Sequence, residues 1–188
     1  MNILRKLHIV GLTLGLTILS QTASAGLLLE PHVAYNLSGS GTESGTEYDY
    51  NGAQIGARVG YQNWGFMTGL DYTKGSGSVD SKTAGVTTTR DLSSDEIGIF
   101  AGYNLPILFR AWGAYYFSNE TTYKGGFDLS GDTKELGVGF TGLPFLSINL
   151  VYRMVNFDES KNLTTSVKSS VSYDFNEIVL GVSLPFNL

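Results

Sequence analysis

Apolar residues alternate with polar or small residues in short segments that recur along the chain. In segment 52–61 the apolar positions are Ala53, Ile55, Ala57, Val59 and Tyr61, and the positions between them are Gly52, Gln54, Gly56, Arg58 and Gly60. A period of two is typical of β-strands, in which successive side chains point to opposite faces. Because glycines share the face that carries the charge, that face is predicted to be crowded and inward, with the apolar face towards lipid.

Eight such segments predict an all-β fold, an eight-stranded antiparallel up-and-down transmembrane β-barrel. A closed barrel satisfies every backbone hydrogen bond without water, as a membrane requires. The connections alternate between short ones, at 62–63, 104–107 and 141–144, and long Ser/Thr/Gly-rich ones, predicted as loops, at 38–50, 75–93, 118–132 and 157–175. Short turns are typical of the periplasmic side and long loops of the extracellular side. An even strand number then places both termini on the periplasmic side.

Aromatic residues on the outward face are expected to gather in two belts at the membrane interfaces. The predicted periplasmic belt contains Tyr61, Trp64, Tyr103, Phe109, Phe145 and Phe186, and the predicted extracellular belt contains Tyr35, Tyr72, Tyr115, Phe117 and Tyr152. Near the end of the chain, Val171, Tyr173 and Phe175 alternate out of phase with Ile178 and the residues after it. This change of phase predicts a bulge or a loop boundary near Asn176.

Residues 1–25 have the pattern of a cleaved secretory signal peptide. Arg5 and Lys6 precede an apolar stretch, and Ala23 and Ala25 form a small-residue cleavage site. The apolar stretch is shorter than the roughly 20 residues that a helical span needs. The predicted mature domain is therefore 26–188, and its destination is the bacterial outer membrane.

Charge excludes one class of partner. The 12 Lys and Arg less Arg5 and Lys6 leave 10 basic residues in 26–188 against 17 acidic ones. Nucleic-acid binding needs clustered Lys and Arg, so no nucleic-acid partner is expected. The chain has no cysteine, and the sequence contains no motif that calls for a cofactor or a metal.

The inward charges form the one predicted constellation with specific chemistry. Its members are Glu30, His32, Arg58, Asp71, Glu96, Arg110, Glu135, Arg153 and Glu177. Strand order places Arg58 between Glu30 and Asp71, Arg110 between Glu96 and Glu135, and Arg153 between Glu135 and Glu177. An eight-stranded barrel is just wide enough for side chains to fill, and a buried arginine needs carboxylate partners. We therefore expect a salt-bridged plug, with glycines leaving room for each guanidinium.

The chain resembles the small eight-stranded outer-membrane barrels typified by the transmembrane domain of OmpA and by OmpX. Its most specific local element is the C-terminal strand, where Gly181, Leu184 and Phe186 resemble the signal that such barrels present to the barrel assembly machinery. The chain departs from that signal in Pro185 and in its last residue, Leu188. The resemblance implies a monomer surrounded by outer-membrane lipid and lipopolysaccharide, with a role in envelope structure or surface interaction.

Two other functions stay open at this stage. One is a narrow channel for small apolar solutes, similar to OmpW, which would need an apolar lumen mouth. The other is a lipid-modifying enzyme, for which His32 would be the base and Ser147 and Ser183 the inward serines. Because the pattern places His32 in the lumen rather than at the lipid face, the sequence predicts that the protein is not an enzyme. Function is then expected in the four predicted loops, which could meet an unknown surface partner.

Overall fold

A computed structural model describes residues 26–43 and 46–188, and the predicted signal peptide lies outside the described residues. The strands are β1 (Gly26–Glu43), β2 (Thr46–Asn63), β3 (Phe66–Thr83), β4 (Val86–Leu105), β5 (Phe109–Tyr123), β6 (Phe127–Leu143), β7 (Leu146–Asn162), β8 (Lys168–Ser183) and β9 (Phe186–Asn187). In the described part of the chain, no helix is long and apolar enough to cross a membrane.

Each strand from β1 to β8 pairs antiparallel with the next, and β8 pairs with β1, so the sheet closes into a ring. The predicted eight-stranded antiparallel barrel is confirmed. The short β9 continues the path of β8 along β1, with Phe186 opposite Leu29. The interruption falls at Leu184 and Pro185, because proline has no N–H to donate to the ladder.

The strands are much longer than a membrane requires, since they contain 15 to 20 residues, apart from β9, and about 10 residues span a bilayer. The prediction of four long loops is wrong for this reason; the predicted loops were 38–50, 75–93, 118–132 and 157–175. Most of these residues continue the barrel wall. Their outward side chains are mostly polar or charged, such as Ser, Thr, Asp, Glu and Lys, a composition that suits a strand facing water as well as it suits a loop.

Tight turns close the hairpins at both ends of the barrel. Trp64 and Gly65 form the two-residue link from β2 to β3 with φ of 52° and 83°, and Ala84 and Gly85 link β3 to β4 with φ of 50° and 83°. Two consecutive positive φ values are typical of a type I′ turn, whose twist matches that of the flanking strands. The turn expected at 62–63 is therefore displaced by two residues, and Gln62 is buried in the lumen.

The bulge predicted near Asn176 is wrong. In β8 the alternation continues without a break, so Val171, Tyr173 and Phe175 point inward together with Glu177. The register breaks lie elsewhere: β1 contains an extra residue between Asn36 and Ser38 relative to β8. A second break lies in β5, where the inward series passes from Tyr116 to Asn119.

In the half of the barrel nearer the chain termini, the outward face of each strand is apolar and exposed, as the alternation predicts. On β7 this face contains Ile148, Leu150, Tyr152 and Met154. The side chains of both predicted aromatic belts are exposed on the outer surface, with Trp64 83% and Phe145 77% exposed. A soluble protein rarely exposes so large a continuous apolar surface, whereas a membrane barrel requires one. The end that bears Gly26 and Leu188 is the periplasmic end in the predicted orientation.

Candidate functional site in the barrel interior

The interior of the barrel contains three layers of side chains. A lower apolar cluster, towards the end that bears Gly26 and Leu188, contains Leu28, Met67, Phe100, Trp112, Val151 and Val179. An upper apolar cluster, towards the opposite end, contains Val79, Leu92, Tyr123, Leu129, Val155, Phe157 and Phe175. The predicted charged residues lie between and beside these clusters, and all of them except the half-buried His32 are buried.

Arg110 occupies the side of the charged layer next to the lower apolar cluster. Its guanidinium makes a bidentate ion pair with Glu30, which is on the opposite wall of the barrel. The same guanidinium donates to Asn149 Oδ1 at 3.0 Å and to Ser183 Oγ at 2.8 Å. It lies 5.0 Å from the ring centroid of Trp112, a cation–π distance. These contacts use a neutral amide and a hydroxyl to complete one balanced ion pair.

Arg58 occupies the middle of the charged layer. Its Nε donates to Asp71 Oδ2 at 2.7 Å, and its Nη2 donates to Glu135 Oε1 at 3.0 Å. Two neutral groups assist, since Trp112 Nε1 donates to Glu135 at 2.9 Å and the Tyr116 hydroxyl donates to Asp71 at 2.9 Å. One arginine and two neutral donors therefore satisfy two carboxylates here.

Arg153 occupies the side of the charged layer below the upper apolar cluster. It donates to Glu177 Oε2 at 2.9 Å and makes a second ion pair with Glu96. Its Nε lies 3.6 Å from Glu135 Oε2. Glu135 thus connects Arg153 to Arg58, and Glu30, 3.8 Å from Arg58, connects Arg58 to Arg110. The ion pairs form one continuous network along the barrel axis.

The structure brings Arg58 to its predicted neighbours Glu30 and Asp71, and Arg153 to Glu135 and Glu177. The neighbours predicted for Arg110 are wrong. In the strand registers Arg110 lies opposite Asn104 and Gly139, whereas Glu96 lies opposite Asn119 and Glu135 opposite Ala114. Adjacent strands in a sheared barrel bring residues of different height together. Arg110 therefore reaches across the lumen to Glu30.

Sequence reasoning also missed the neutral partners in the network. Alternation along the strands makes Trp112, Asn149 and Ser183 inward residues, but it gave none of them a part in the ion-pair network. Tyr116 continues the inward series of Arg110, Trp112 and Ala114, so its direction could have been read from the same alternation. Arg110 on β5 reaches Asn149 and Ser183 across the lumen, whereas Trp112 meets Glu135 on the adjacent strand β6. Alternation along a single strand carries no signal for either kind of contact.

Two glycines show how the lumen makes room for its large side chains. A Cβ at Gly139 would lie 2.9 Å from Arg110 Nε, and a Cβ at Gly137 would overlap the indole ring of Trp112. Both contacts would be closer than packed atoms tolerate. The prediction that glycines leave space for a guanidinium therefore holds at Arg110, and the same device accommodates an indole at Trp112.

His32 and Ser183 are register partners on β1 and β8, a proximity that sequence reasoning did not expect. Their side chains have separate hydrogen-bond partners. His32 Nε2 lies 3.2 Å from Thr73 Oγ1 and 4.0 Å from Asp71 Oδ1. Ser183 Oγ bonds with Arg110 and Asn149. In the described chain, no hydrogen bond joins a serine to His32, and both residues face the lumen rather than lipid.

The residues of the predicted assembly signal lie on both faces of the C-terminal strand. Gly181 faces inward, where a Cβ would lie 2.9 Å from Ala34 Cβ. Leu184 and Phe186 point outward into the apolar band. Pro185 divides the strand, but Leu184 N still donates to Pro31 O at 3.0 Å, so the strand stays attached to β1 on both sides of the proline.

The wall above the upper aromatic belt is polar on its outer face and carries exposed ion pairs. Lys82 donates to Asp49 at 2.5 Å and Lys124 donates to Asp91 at 2.9 Å. The hydrogen bond to Asp49 raises the pKa of the Lys82 ammonium above its ordinary value, and Asp91 does the same for the pKa of Lys124. Exposed pairs of this kind add little stability, so they indicate a solvated surface.

Comparison with protein-family models matches none of them, and no curated protein is similar in sequence. Solved structures do share the fold. The crystal structure of Neisserial surface protein A aligns with 87% of this chain and 99% of that chain, with a TM-score of 0.53 and 15% identity. At that identity the likeness shows the fold alone, which is that of a small outer-membrane β-barrel.

Two further crystal structures align with lower scores. The outer-membrane protein OprG from Pseudomonas aeruginosa covers 89% of this chain and 98% of its own, at 14% identity and a TM-score of 0.46. A major outer-membrane protein from Thermus thermophilus covers 85% of this chain and 99% of its own, at 12% identity and a TM-score of 0.45. With its continuous outward apolar band, the chain is a bacterial outer-membrane barrel protein.

Proposed function

We propose that this outer-membrane barrel has a sealed interior and acts in envelope structure or surface interaction through its extracellular part. The observation that carries the proposal is the stacking of two apolar clusters around a continuous ion-pair network. We also propose that the protein resembles OmpA and OmpX in its role and that it is a monomer. Its proposed partners are lipopolysaccharide, the barrel assembly machinery and an unknown surface ligand.

The size of the interior spaces supports sealing. One cavity below the upper apolar cluster has a volume of about 40 Å³. Another, lined by His32, Asn149 and Arg58, has a volume of about 30 Å³. Spaces of this size hold no more than a few water molecules, whereas a conducting path needs a continuous water column. Several buried polar atoms, including Asn36 Nδ2 and Ser147 Oγ, have no hydrogen-bond partner among the described residues, and isolated waters would satisfy them.

Ion conductance tests the seal directly. The folded protein is reconstituted in planar bilayers, with insertion verified by heat-modifiable gel mobility of the same sample. We expect an electrically silent, heat-modifiable species. Steady unitary conductance from folded protein would contradict the sealed interior, and it would move the channel function to first place.

The extracellular part offers a defined surface for a partner. The ladder between β4 and β5 ends at Leu92 and Tyr123, but β4 continues upward to Val86 in its pairing with β3. Residues 86–91 are all exposed. Asp91 O accepts a hydrogen bond from Lys124 N at 2.9 Å, and no described strand pairs with the free side of residues 86–90. A free strand edge can accept an extended peptide by backbone hydrogen bonding. The β3–β4 hairpin is therefore our candidate contact surface.

A shortened hairpin tests that surface without disturbing the barrel. Val79 and Arg90 are register partners, so replacing residues 80–89 with Asn-Gly would close the hairpin with a two-residue turn. We expect the variant to fold with an unchanged unfolding midpoint, because the upper apolar cluster keeps Val79 and Leu92. Cells that express it should lose adhesion or ligand binding seen with the full-length hairpin. Full retention of every surface interaction would contradict the assignment.

The narrow apolar-solute channel, similar to OmpW, is the second candidate, because one observation favours it. The upper lumen is lined by apolar and aromatic side chains rather than by charges, which is the apolar mouth that such a channel needs. Transport of a small apolar dye into vesicles that contain lipopolysaccharide would support this candidate. A transport rate equal to that of protein-free vesicles would dismiss it.

A further inference from the structure

We propose that the barrel interior contains a binding site for one monovalent cation, between Glu96 and Glu177 and below the upper apolar cluster. The site goes beyond the proposed function, because it concerns the charge balance of the lumen rather than the extracellular surface. It rests on a local excess of negative charge, on carboxylate oxygens without partners and on a cavity that these oxygens line.

Charge is unbalanced in one part of the network. Three lumenal arginines face five lumenal carboxylates, an excess of two negative charges. Arg110 pairs with Glu30 in equal number. The excess therefore lies on the two remaining groups, one around Arg58 and one around Arg153.

The two groups compensate for their excess charge differently. Around Arg58, the indole of Trp112 and the hydroxyl of Tyr116 donate hydrogen bonds to Glu135 and Asp71. Around Arg153, both Glu96 and Glu177 use their Oε2 atoms for the same guanidinium. Among the described residues, no side chain donates to Glu96 Oε1 or Glu177 Oε1. Two carboxylates thus share one arginine, with one negative charge left over.

A cavity of about 40 Å³ lies against both carboxylates. Its walls also include Ser94 and Gln54, which are 7% and 8% exposed and have no side-chain hydrogen bond to another described residue. Both side chains are therefore available to a ligand in the cavity. The hydroxyl and the amide oxygen can act as neutral ligands beside the two carboxylates, so the cavity has oxygen ligands of the kind that hard cations prefer.

The roof of the cavity makes neutralisation necessary. Val155, Phe157 and Phe175 of the upper apolar cluster line the same space. An uncompensated negative charge below an apolar roof is strongly unfavourable. One bound positive charge would balance the group of Glu96, Glu177 and Arg153.

A monovalent cation fits this balance better than a divalent one. The local excess is one charge, and the described residues include no group of three or more His, Asp or Glu placed to hold a metal ion. The volume of about 40 Å³ accommodates one ion with a water molecule, since about 10–15 Å³ of such space is enough for one water. We assign sodium as the probe, because it is small enough for the cavity and is bound by oxygen ligands.

The test compares sodium with choline, a cation too large for the cavity, at constant ionic strength. Protein folded in lipopolysaccharide-free micelles is unfolded by heat in low and in high NaCl, with choline chloride making up the difference. A ligand at about 100 times its dissociation constant raises the ratio of folded to unfolded protein about 100-fold. We expect a sodium-dependent increase that saturates, together with broadening of the sodium NMR resonance by folded protein.

Single substitutions show which residues the sodium-dependent stability requires. Glu177→Gln should abolish the sodium dependence, and Ser94→Ala should weaken sodium binding several-fold while the barrel folds. Asp95→Asn is the matched control: it removes a charge next to Glu96 in sequence, but from the outer surface. The control should respond to sodium as the unchanged protein does.

Three results would overturn the proposal. The first is an equal effect of sodium and choline, which would show general screening. The second is a sodium response that survives Glu177→Gln, which would place any bound ion elsewhere. The third is the absence of any sodium response in a protein that Glu177→Gln makes more stable, which would show that a proton neutralises the pair. The sodium NMR measurement needs no variant, so it decides the question even if a substitution prevents folding.

Discussion

The ion pair between Arg110 and Glu30 joins opposite walls of the barrel, and a double-mutant cycle can measure it. Both residues are buried, with Glu30 0% and Arg110 2% exposed. Arg110→Met leaves the Glu30 carboxylate without its bidentate partner, and Glu30→Leu leaves the guanidinium unpaired. Breaking a buried pair by removing one partner costs about 3–5 kcal/mol. The double variant replaces both charges with apolar side chains, so it should lose much less than the sum of the two single losses.

A second double-mutant cycle distinguishes the Arg110 contacts seen in the structure from those expected from strand order. Strand order makes Glu96 a neighbour of Arg110, whereas the structure pairs Glu96 with Arg153. Coupling between Arg110→Met and Glu30→Leu should therefore reach several kcal/mol. Coupling between Arg110→Met and Glu96→Leu should be close to the error of additivity, about 0.5 kcal/mol.

Urea unfolding in lipid vesicles provides the free energies for both cycles. Tryptophan fluorescence is a suitable signal because Trp112 lies against the Arg110 guanidinium, and gel mobility reports folding independently. Lys82→Met removes an exposed ion pair with Asp49 and should leave the midpoint unchanged. Strong coupling of Arg110 to Glu96, or none to Glu30, would refute the cross-lumen arrangement.

Two further changes test the packing of the lumen. Gly137→Ala should destabilise the barrel by about 1–3 kcal/mol, since the added methyl group overlaps the indole of Trp112; Gly113→Ala, whose Cβ would meet its nearest atoms at 3.6 Å, should keep the urea midpoint of the unchanged protein. Arg153→Leu should cost about 3–5 kcal/mol by leaving two buried carboxylates uncompensated, and adding Glu177→Leu should recover part of the loss. Equal urea midpoints for Arg153→Leu and the double variant would show that the two residues do not couple.

Alternation along the chain was sufficient to predict the fold and the direction of the side chains within the membrane. A one-residue slip would exchange the lipid face and the lumen face of a strand, so the pattern around Arg58 or Arg110 is strongly constrained. Side chains also alternate between the lumen and the outer face in the strands above the membrane, but there the outward face is polar. Segments such as 75–93 then look like loops, although Val79 and Leu92 still point inward at the strand period.

Contacts across the lumen could not be predicted from alternation or from strand order. Arg110 and Glu30 are 80 residues apart in sequence, and their contact depends on the shear of the barrel, which is set by all eight registers together. Bulges contribute to those registers. The extra residue near Leu37 in β1 shifts its upper half relative to β8. Asn36, Ser38 and Gly39 flank that position, and in the sequence such turn-forming residues predict the start of a loop rather than a bulge within a strand.

The order of the layers explains why charged residues can stay in a barrel of this size. Arginine and carboxylate side chains hold opposite walls together through contacts such as Arg110 with Glu30, but alone they would attract water into the lumen. Apolar side chains such as Leu28 below and Phe157 above limit that access, and in doing so they raise the cost of any charge that is not balanced. A barrel sealed in this way must balance its charges internally. The pair of Glu96 and Glu177 on a single arginine is the place where the side chains alone do not achieve that balance, so this pair is where a bound ion has the largest effect on stability.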